Sequence, residues 1–337
     1  VKIPFEPEFR QKYFDLLEGV FDSNFWSEGR MTADFEAAFA RFVGLGPDQA
    51  AAVVNCGLGL IAVLEAVGVA GGEVIVPSNT FMATPLAAER AGAKVVFADC
   101  NRYDLCLSAR DLERRITPET KAVVVVHIGG HIAFDIDQIV ELCAAAGVPL
   151  IEDCAHPHGA AWRGRAAGTF GLAGVYSFYA TKTMPLGEGG MVVSRNPEII
   201  EYVKKWRNYG KFDYEVRGLN ARMNEVTAAL GLIQLERLPE LLVWKRCLAA
   251  KYDQIFDQKV ELPAGMTSGY YKYIVFDTPL KELTGPVFGE ACHRIMGHEV
   301  DLPDTDWVVA HHACPPMFPG WDGADLDVEG LRARLLT

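Results

Sequence analysis

Lys182 stands in YSFYATKTMPLGEGGMVVS, Tyr176 to Ser194, a stretch that reads as a strand, a turn and a second strand. Tyr176, Phe178 and Tyr179 favour extended backbone; Thr181-Lys182-Thr183 breaks the run; Gly187-Glu188-Gly189-Gly190 turns the chain; Met191-Val192-Val193 resumes it. An amine at such a turn can add to a carbonyl carbon. Taken alone it is a solvated surface charge. IEDCAHPHGA supplies a second group, with Asp153 just past an apolar run and His156 following it. A carboxylate at the carboxyl end of a buried strand needs a cationic partner to stay charged. Singly, Asp153 reads as a cap or surface ion-pair member and His156 as a satisfied structural imidazole.

Three further pieces bear on these. NCGLGLIAVL puts a glycine-bearing turn at a helix start, where the free amides of Gly57 and Leu58 and the helix dipole favour an anion such as phosphate. Ser177 can add a hydroxyl donor to the same anion. SNTFMAT sets Phe81 just beyond a strand end, where a ring can stack on a flat heterocycle; the plainer reading is a core Phe. Together these are the parts of a pyridoxal 5'-phosphate (PLP) site: a lysine for the aldehyde, a carboxylate to keep the pyridine nitrogen protonated, amides and a hydroxyl for the phosphate, and an aromatic cover.

The elements that must hold these residues follow from the pattern between Ala50 and Ser194. AAVVN, EVIVPS, KVVFAD, KAVVVVH and VPLIEDC are short apolar runs, separated by amphipathic segments such as LGLIAVLEAVGVA, ATPLAAERAG and DIDQIVELCAAAG. Nearly continuous β-branched strands joined by helices predict a parallel sheet covered on both faces, an α/β fold. Ligands gather at the carboxyl ends of such strands, where Asn55, Asn79, His127 and Asp153 fall. Beyond Ser194, PEIIEYVKKWRNYG predicts a helix from Pro197, and the run from Asn224 to Tyr252 a long one with Leu230, Ile233, Leu235, Leu238 and Leu241 on an apolar face. Further on, YYKYIVFD reads as a strand, FGEACHRIMG as a helix and HACPPMFPGW as an irregular loop.

The 337 residues are half hydrophobic and 23% charged, the balance of a globular enzyme. A net charge of −12 disfavours nonspecific binding to nucleic acid or an anionic membrane. No apolar run is long enough to cross a bilayer. The opening VKIPFEPEFRQKYF has no basic start followed by an apolar core, which predicts no secretory signal. The eight cysteines form no CxxC pair and predict reduced, mostly buried thiols in a cytoplasmic protein. The histidines show no HExxH spacing, so no protein-bound metal is expected.

The blocks SFYATKTMPLGEGG, PSNTFMATPLAAERAGAKVVFAD, IEDCAHPHGA and GLNARMNEVTAALGLIQL, in that family's order, make the chain resemble the DegT/DnrJ/EryC1/StrS sugar aminotransferases. The resemblance runs from FWSEGRMTADFEAAFARFVG, Phe25 to Gly44, through RGLNARMNEVTAALGLIQLERL, Arg217 to Leu238. It implies a fold-type-I PLP-dependent transferase: an arm (1–30), a large domain with a mostly parallel seven-stranded sheet (31–236) and a smaller C-terminal α+β domain (237–337). It also implies an amino-acid donor, glutamate or glutamine, and a keto-sugar acceptor, with the cofactor alternating between pyridoxal and pyridoxamine phosphate. By position, Lys182 is the lysine that bonds the aldehyde and Asp153 the acid at the pyridine nitrogen. His156 is then the partner of the phenolic oxygen, Phe81 the stacking ring and Ser177 the phosphate hydroxyl. Asn220 resembles an asparagine that reaches the phosphate from a neighbouring subunit, which implies a homodimer with shared sites.

One departure is Asn55-Cys56-Gly57, where relatives carry Ser-Gly-Thr; the hydroxyl is lost and anchoring falls to amides, Ser177 and Asn220. Another is the C-terminal part, where DTDWVVAHHACPPMFPGW follows the family's sugar-pocket loop only loosely. Tyr209, Lys211, Arg30 and His312 are candidate pocket residues. Three rival readings are a dehydratase of the same family, which carries His where Lys182 stands; a desulfurase using Cys314; and a non-catalytic member.

Overall fold

The structure, a computed structural model, describes residues 5–317 and 330. Helices α1 (Pro7–Ser23) and α2 (Arg30–Phe42) come first. Strands and helices then alternate: β1 (Ala50–Val53), α3 (Cys56–Ala66), β2 (Glu73–Pro77), α4 (Ala83–Arg90), β3 (Lys94–Ala98), α5 (Ala109–Arg115), β4 (Thr120–Val126), α6 (Ile136–Ala146) and β5 (Leu150–Cys154). Short β6 (Ala161–Trp162) and β7 (Arg165–Ala166) precede β8 (Ala173–Ser177) and β9 (Gly190–Val193), followed by α7 (Pro197–Trp206) and α8 (Glu225–Tyr252). The rest comprises β10 (Met266–Thr267), β11 (Val275–Phe276), α9 (Lys281–Thr284), α10 (Cys292–Ile295), α11 (Pro303–His311) and β12 (His312–Ala313).

The main sheet has seven strands in the order β1-β9-β8-β5-β4-β2-β3. From β8 to β3 all neighbours are parallel, and β9 alone runs antiparallel, to both β8 and β1. This is the mostly parallel sheet expected from the apolar runs. Alternate residues explain its two cores. Ala52, Ile75, Val123 and Val125 join Phe35, Phe39 and Leu238 of α2 and α8 on one face. Val53, Val74, Val76 and Val124 join Leu60, Ala87 and Val203 of α3, α4 and α7 on the other. With both faces covered by helices, a ligand can reach the sheet only at strand ends.

Helix α8 runs 28 residues from its N-cap Asn224, whose side chain accepts from the Thr227 amide. It passes unbroken through the division expected after residue 236, despite Pro239. The later residues build small sheets: β10 extends β6 and β7, and β11 pairs with β12. The strand expected over YYKYIVFD is confined to Val275–Phe276. Its earlier part and the preceding Gly269 bond instead to the loop after β4, with the Gly269 and Lys272 amides donating to the Gly130 and Gly129 carbonyls, each at 2.8 Å. Gly130, at φ +107°, is required there, since a Cβ would lie 2.5 Å from the Tyr271 nitrogen. Likewise the helix expected over FGEACHRIMG shrinks to Cys292–Ile295, tied to β2's end by the Cys292 amide on the Ser78 carbonyl. HACPPMFPGW begins as β12, and its residues 318–321 lie outside the described residues. No helix among the described residues is long and apolar enough to cross a membrane.

Candidate active site

The carboxyl ends of β1, β2, β4, β5 and β8 enclose a cavity of about 560 Å³, within the range of small-molecule sites. The turn between β8 and β9 delivers Lys182. It is braced by the Ala180 amide on the Gly187 carbonyl and the Leu186 amide on the Phe178 carbonyl, at 2.9 and 2.8 Å. Gly187 at φ +86° lets the chain reverse. From α8, Gln234 donates to the Pro185 carbonyl at 2.8 Å and pins the turn from outside. Where β9 resumes, Gly190 passes so close to α3 that a Cβ would sit 2.6 Å from the Asn55 carbonyl carbon. That contact sets the lysine turn against the helix start.

Lys182 lines the cavity, and among the described residues no carboxylate pairs with it. Its Nζ lies 4.7 Å from the centre of the Tyr271 ring. Asp153, buried at the end of β5, also lines the cavity. Its Oδ2 accepts from the Thr84 hydroxyl at 2.8 Å and its Oδ1 from the Ala155 amide at 3.0 Å. Burial raises its pKa above the ordinary carboxylate value, against the opposing pull of Thr84, Ala155 and the Lys182 charge. His156 lies flat between Tyr271 and Phe288, with ring centres 4.3 and 5.9 Å away. Burial holds its pKa well below the ordinary value, so the ring is neutral, and its Nδ1 has no hydrogen-bond partner among the described residues.

Phe81 is 66% exposed, with a ring face open rather than packed in the core. Ser177 and Gly57 line the cavity. Leu58 does not serve as expected, because its amide donates to Asn55 Oδ1 at 2.9 Å, the N-cap bond of α3. Asn220 is exposed and outside this cavity, beside Asn208 in an isolated bridge. The candidates Tyr209, Lys211, Arg30 and His312 do not line it either. His312 is buried, and its Nε2 accepts from the Val287 amide at 2.8 Å. Cys314 is buried away from the cavity, with burial pushing its thiol up to about 12, so the desulfurase reading loses its nucleophile. Of the eight thiols, all unpaired, only Cys247 is exposed.

Strand-end logic missed Thr80, Thr84, Tyr179, Glu188, Tyr271 and Phe288. All but Thr84 line the cavity, and Thr84 grips Asp153. His127 and Asn79, though at strand ends, face elsewhere. His127 Nδ1 accepts from the Ala133 amide at 3.1 Å, so Nε2 carries the proton and donates to Glu152 at 2.9 Å. Glu152 also accepts amides from Gly168, Phe170 and Gly171 at 2.6, 2.6 and 2.7 Å. With Cys154 these two could surround an ion, but the lone pairs of the carboxylate and the imidazole are already engaged by N–H donors.

Residues 7–276 match the DegT/DnrJ/EryC1/StrS aminotransferase family. The GDP-perosamine synthase of Vibrio cholerae is 37% identical over 256 residues, 74% of this chain and 69% of that protein. The dTDP-4-dehydro-2,3,6-trideoxy-D-glucose 4-aminotransferase of Saccharopolyspora spinosa is 33% identical over 297 residues, covering 80% and 76%. Among solved structures, the aminotransferase TlmJ from Streptoalloteichus hindustanus superposes with a TM-score of 0.87 at 34% identity, covering 96% of this chain and 94% of that one.

Proposed function

The chain belongs to the DegT/DnrJ/EryC1/StrS aminotransferase family and is an aminotransferase; from that premise we propose that it uses pyridoxal 5'-phosphate to move an amino group from glutamate or glutamine to a keto sugar carried on a nucleoside diphosphate. The observation that carries the reading is the placement, across one cavity, of an amine that has no carboxylate partner among the described residues, Lys182, with a buried carboxylate, Asp153. The two similar enzymes named for GDP- and dTDP-linked sugars support the acceptor class.

The residues present fit the cofactor. When bound, it supplies an aldehyde to carry nitrogen and a ring that takes up electrons. Lys182 would hold the cofactor through its aldehyde, and its Nζ, when free, would move the proton between the donor's α-carbon and the carbon that receives nitrogen. Asp153 keeps the ring nitrogen protonated. Gly57 and Ser177 would donate to the phosphate, Phe81 would cover a ring face and neutral His156 would serve the phenolic oxygen. Tyr271 and Phe288, stacked on His156 in the cavity wall, would limit water.

The homodimer belongs to the same proposal. Asn220 is exposed and does not line its own cavity, which leaves it available to a partner. Phe25, Trp26, Phe212 and Tyr214 are 61–88% exposed, an apolar surface suited to a second copy. Buried unpaired thiols suit a cytoplasmic location.

The test is a panel of nucleoside-diphosphate keto sugars given to the PLP-loaded enzyme with glutamate, read by mass. Exchange of a carbonyl oxygen for an amine is expected. A nitrogen-free, dehydrated product would favour the dehydratase, and no product across the panel would sink the acceptor assignment.

A further inference from the structure

We propose that Thr84, backed by Thr80, is a positioning residue that holds the buried Asp153 carboxylate ionised and fixed at the cavity wall. The inference deepens the proposed function and rests on it only for what the carboxylate will meet.

A threonine hydroxyl has one proton to give. Thr84 Oγ1 lies 2.8 Å from Asp153 Oδ2 and 2.9 Å from Thr80 Oγ1, and all three residues are buried. An ionised carboxylate can only accept, so the Thr84 proton goes to Asp153 and the bond to Thr80 must be donated by Thr80. The chain has one direction: Thr80 to Thr84 to Asp153. Protonating Asp153 at Oδ2 would turn both hydroxyls around and leave the Thr80 proton in need of a new acceptor.

The ionised state needs this help. Burial works against it, and the charged or titratable groups bearing on Asp153 are few. Lys182 from the β8–β9 turn favours the carboxylate, while His127 at the end of β4 is held as the neutral tautomer by Ala133 and Glu152 and adds no charge. Cys56 at the start of α3 and neighbouring Cys154 are thiols that burial keeps protonated. Cys56 Sγ is 3.9 Å from Oδ1 but nearer the Val175 carbonyl, at 3.4 Å, and so adds little. That leaves the Ala155 amide on one oxygen and Thr84 on the other. Each oxygen keeps a free lone pair, and a ring N–H needs one. Thr84 lies in α4 and Asp153 in β5, so the relay also fixes the strand end against that helix.

The experiment compares Thr84→Val, which keeps shape and loses the hydroxyl, with Thr84→Ser and Thr80→Val. In the cofactor-free 337-residue chain, the Asp153 carboxyl stretch is followed by infrared spectroscopy against pH and assigned by its loss in Asp153→Asn. Loss of one charge-assisted hydrogen bond raises the protonation midpoint by about one to two pH units, a ten- to hundredfold change in the ionised fraction. Serine should return it, and Thr80→Val should raise it less. PLP affinity, from visible absorbance, should fall about tenfold in Thr84→Val and recover in Thr84→Ser. An unmoved midpoint in a folded Thr84→Val protein overturns the relay; if that variant does not fold, an unmoved midpoint in Thr80→Val does so instead. A raised midpoint with no cofactor uptake by the unaltered chain would leave the relay standing and fell the cofactor reading. An unmoved midpoint with normal uptake would do the reverse.

Discussion

Neighbouring acids on β5 should answer the same substitution in opposite ways. Glu152 and Asp153 project to opposite sides of the sheet, as successive strand residues must. Glu152 is fully buried and accepts four N–H donors, Phe170 and Gly171 on Oε1, His127 and Gly168 on Oε2. In Glu152→Gln, whichever side receives the amide nitrogen turns two acceptor contacts into N–H facing N–H. His127 cannot escape by changing tautomer, because its Nδ1 already accepts from Ala133. Two charge-assisted bonds at ~1.5–3 kcal/mol each, less about 1 kcal/mol of relief from burying no charge, leave a loss of about 2–5 kcal/mol. With an unfolding entropy of ~2.1 cal/mol/K per residue, this lowers Tm by about 3–7 °C.

Asp153→Asn goes the other way. Burial raises the Asp153 pKa, so between the unfolded and folded values the native chain holds a proton that the unfolded chain has released. Stability therefore falls as pH rises through that window, and the penalty persists above it. The amide removes the penalty, so the cofactor-free variant should melt no lower than the parent at neutral pH, while turnover falls by about 10² or more. Calorimetry and the transamination assay read both. An unchanged Tm for Glu152→Gln, or a Tm lowered by several degrees for Asp153→Asn, would refute the reasoning.

Lys182→Ala should leave Tm within about 1 °C, since the ammonium has no carboxylate partner among the described residues, and abolish both turnover and the visible band of the PLP-loaded protein; a normal band or rate would reject the assignment. Asn55→Ala should cost about 1 kcal/mol by removing the α3 cap, measured by denaturant unfolding. Asn55→Asp should keep the cap but weaken PLP affinity by placing a carboxylate beside the phosphate. Ellman titration of the native, cofactor-free chain should show one fast thiol, Cys247, with the other seven reacting only on unfolding.

What the sequence made legible was whatever depends on strand polarity. A β-branched run such as KAVVVVH has one reading, and β4 spans Thr120–Val126. Once the strands are parallel their carboxyl ends share an edge, so Asp153, Ser177 and the Lys182 turn meet without any long-range information. Thr84 was not legible. It looks like an ordinary residue in the first turn of α4, and its role exists only because β2 and β5 bring it to an acid 69 positions away. Tyr271 was hidden for another reason. YYKYIVFD has the composition of a strand, but two glycine carbonyls in the loop after β4 claim the amides of Lys272 and of Gly269 just before the stretch, and Tyr271 lines the cavity. Leu58 illustrates local competition: a helix-start amide is free for an anion only if the N-cap side chain does not take it first.

That competition bears on assembly. A phosphate needs donors or cations, yet Lys182 is the one lysine or arginine among the described residues lining the cavity, which also holds Asp153 and Glu188. Asn55 consumes the Leu58 amide, so a single chain offers an anion the Gly57 amide and neutral hydroxyls such as that of Ser177 rather than a second cation. If Asn220 of a second copy completes the anion site, dimer formation and cofactor binding must favour each other by the same factor. Dilution through the dimer–monomer range should then weaken PLP binding, and PLP should tighten the dimer equally, with sedimentation and absorbance giving the two sides. Asn220→Ala should uncouple them. Cofactor affinity that is independent of protein concentration across dissociation would mean that a single chain completes its own phosphate site.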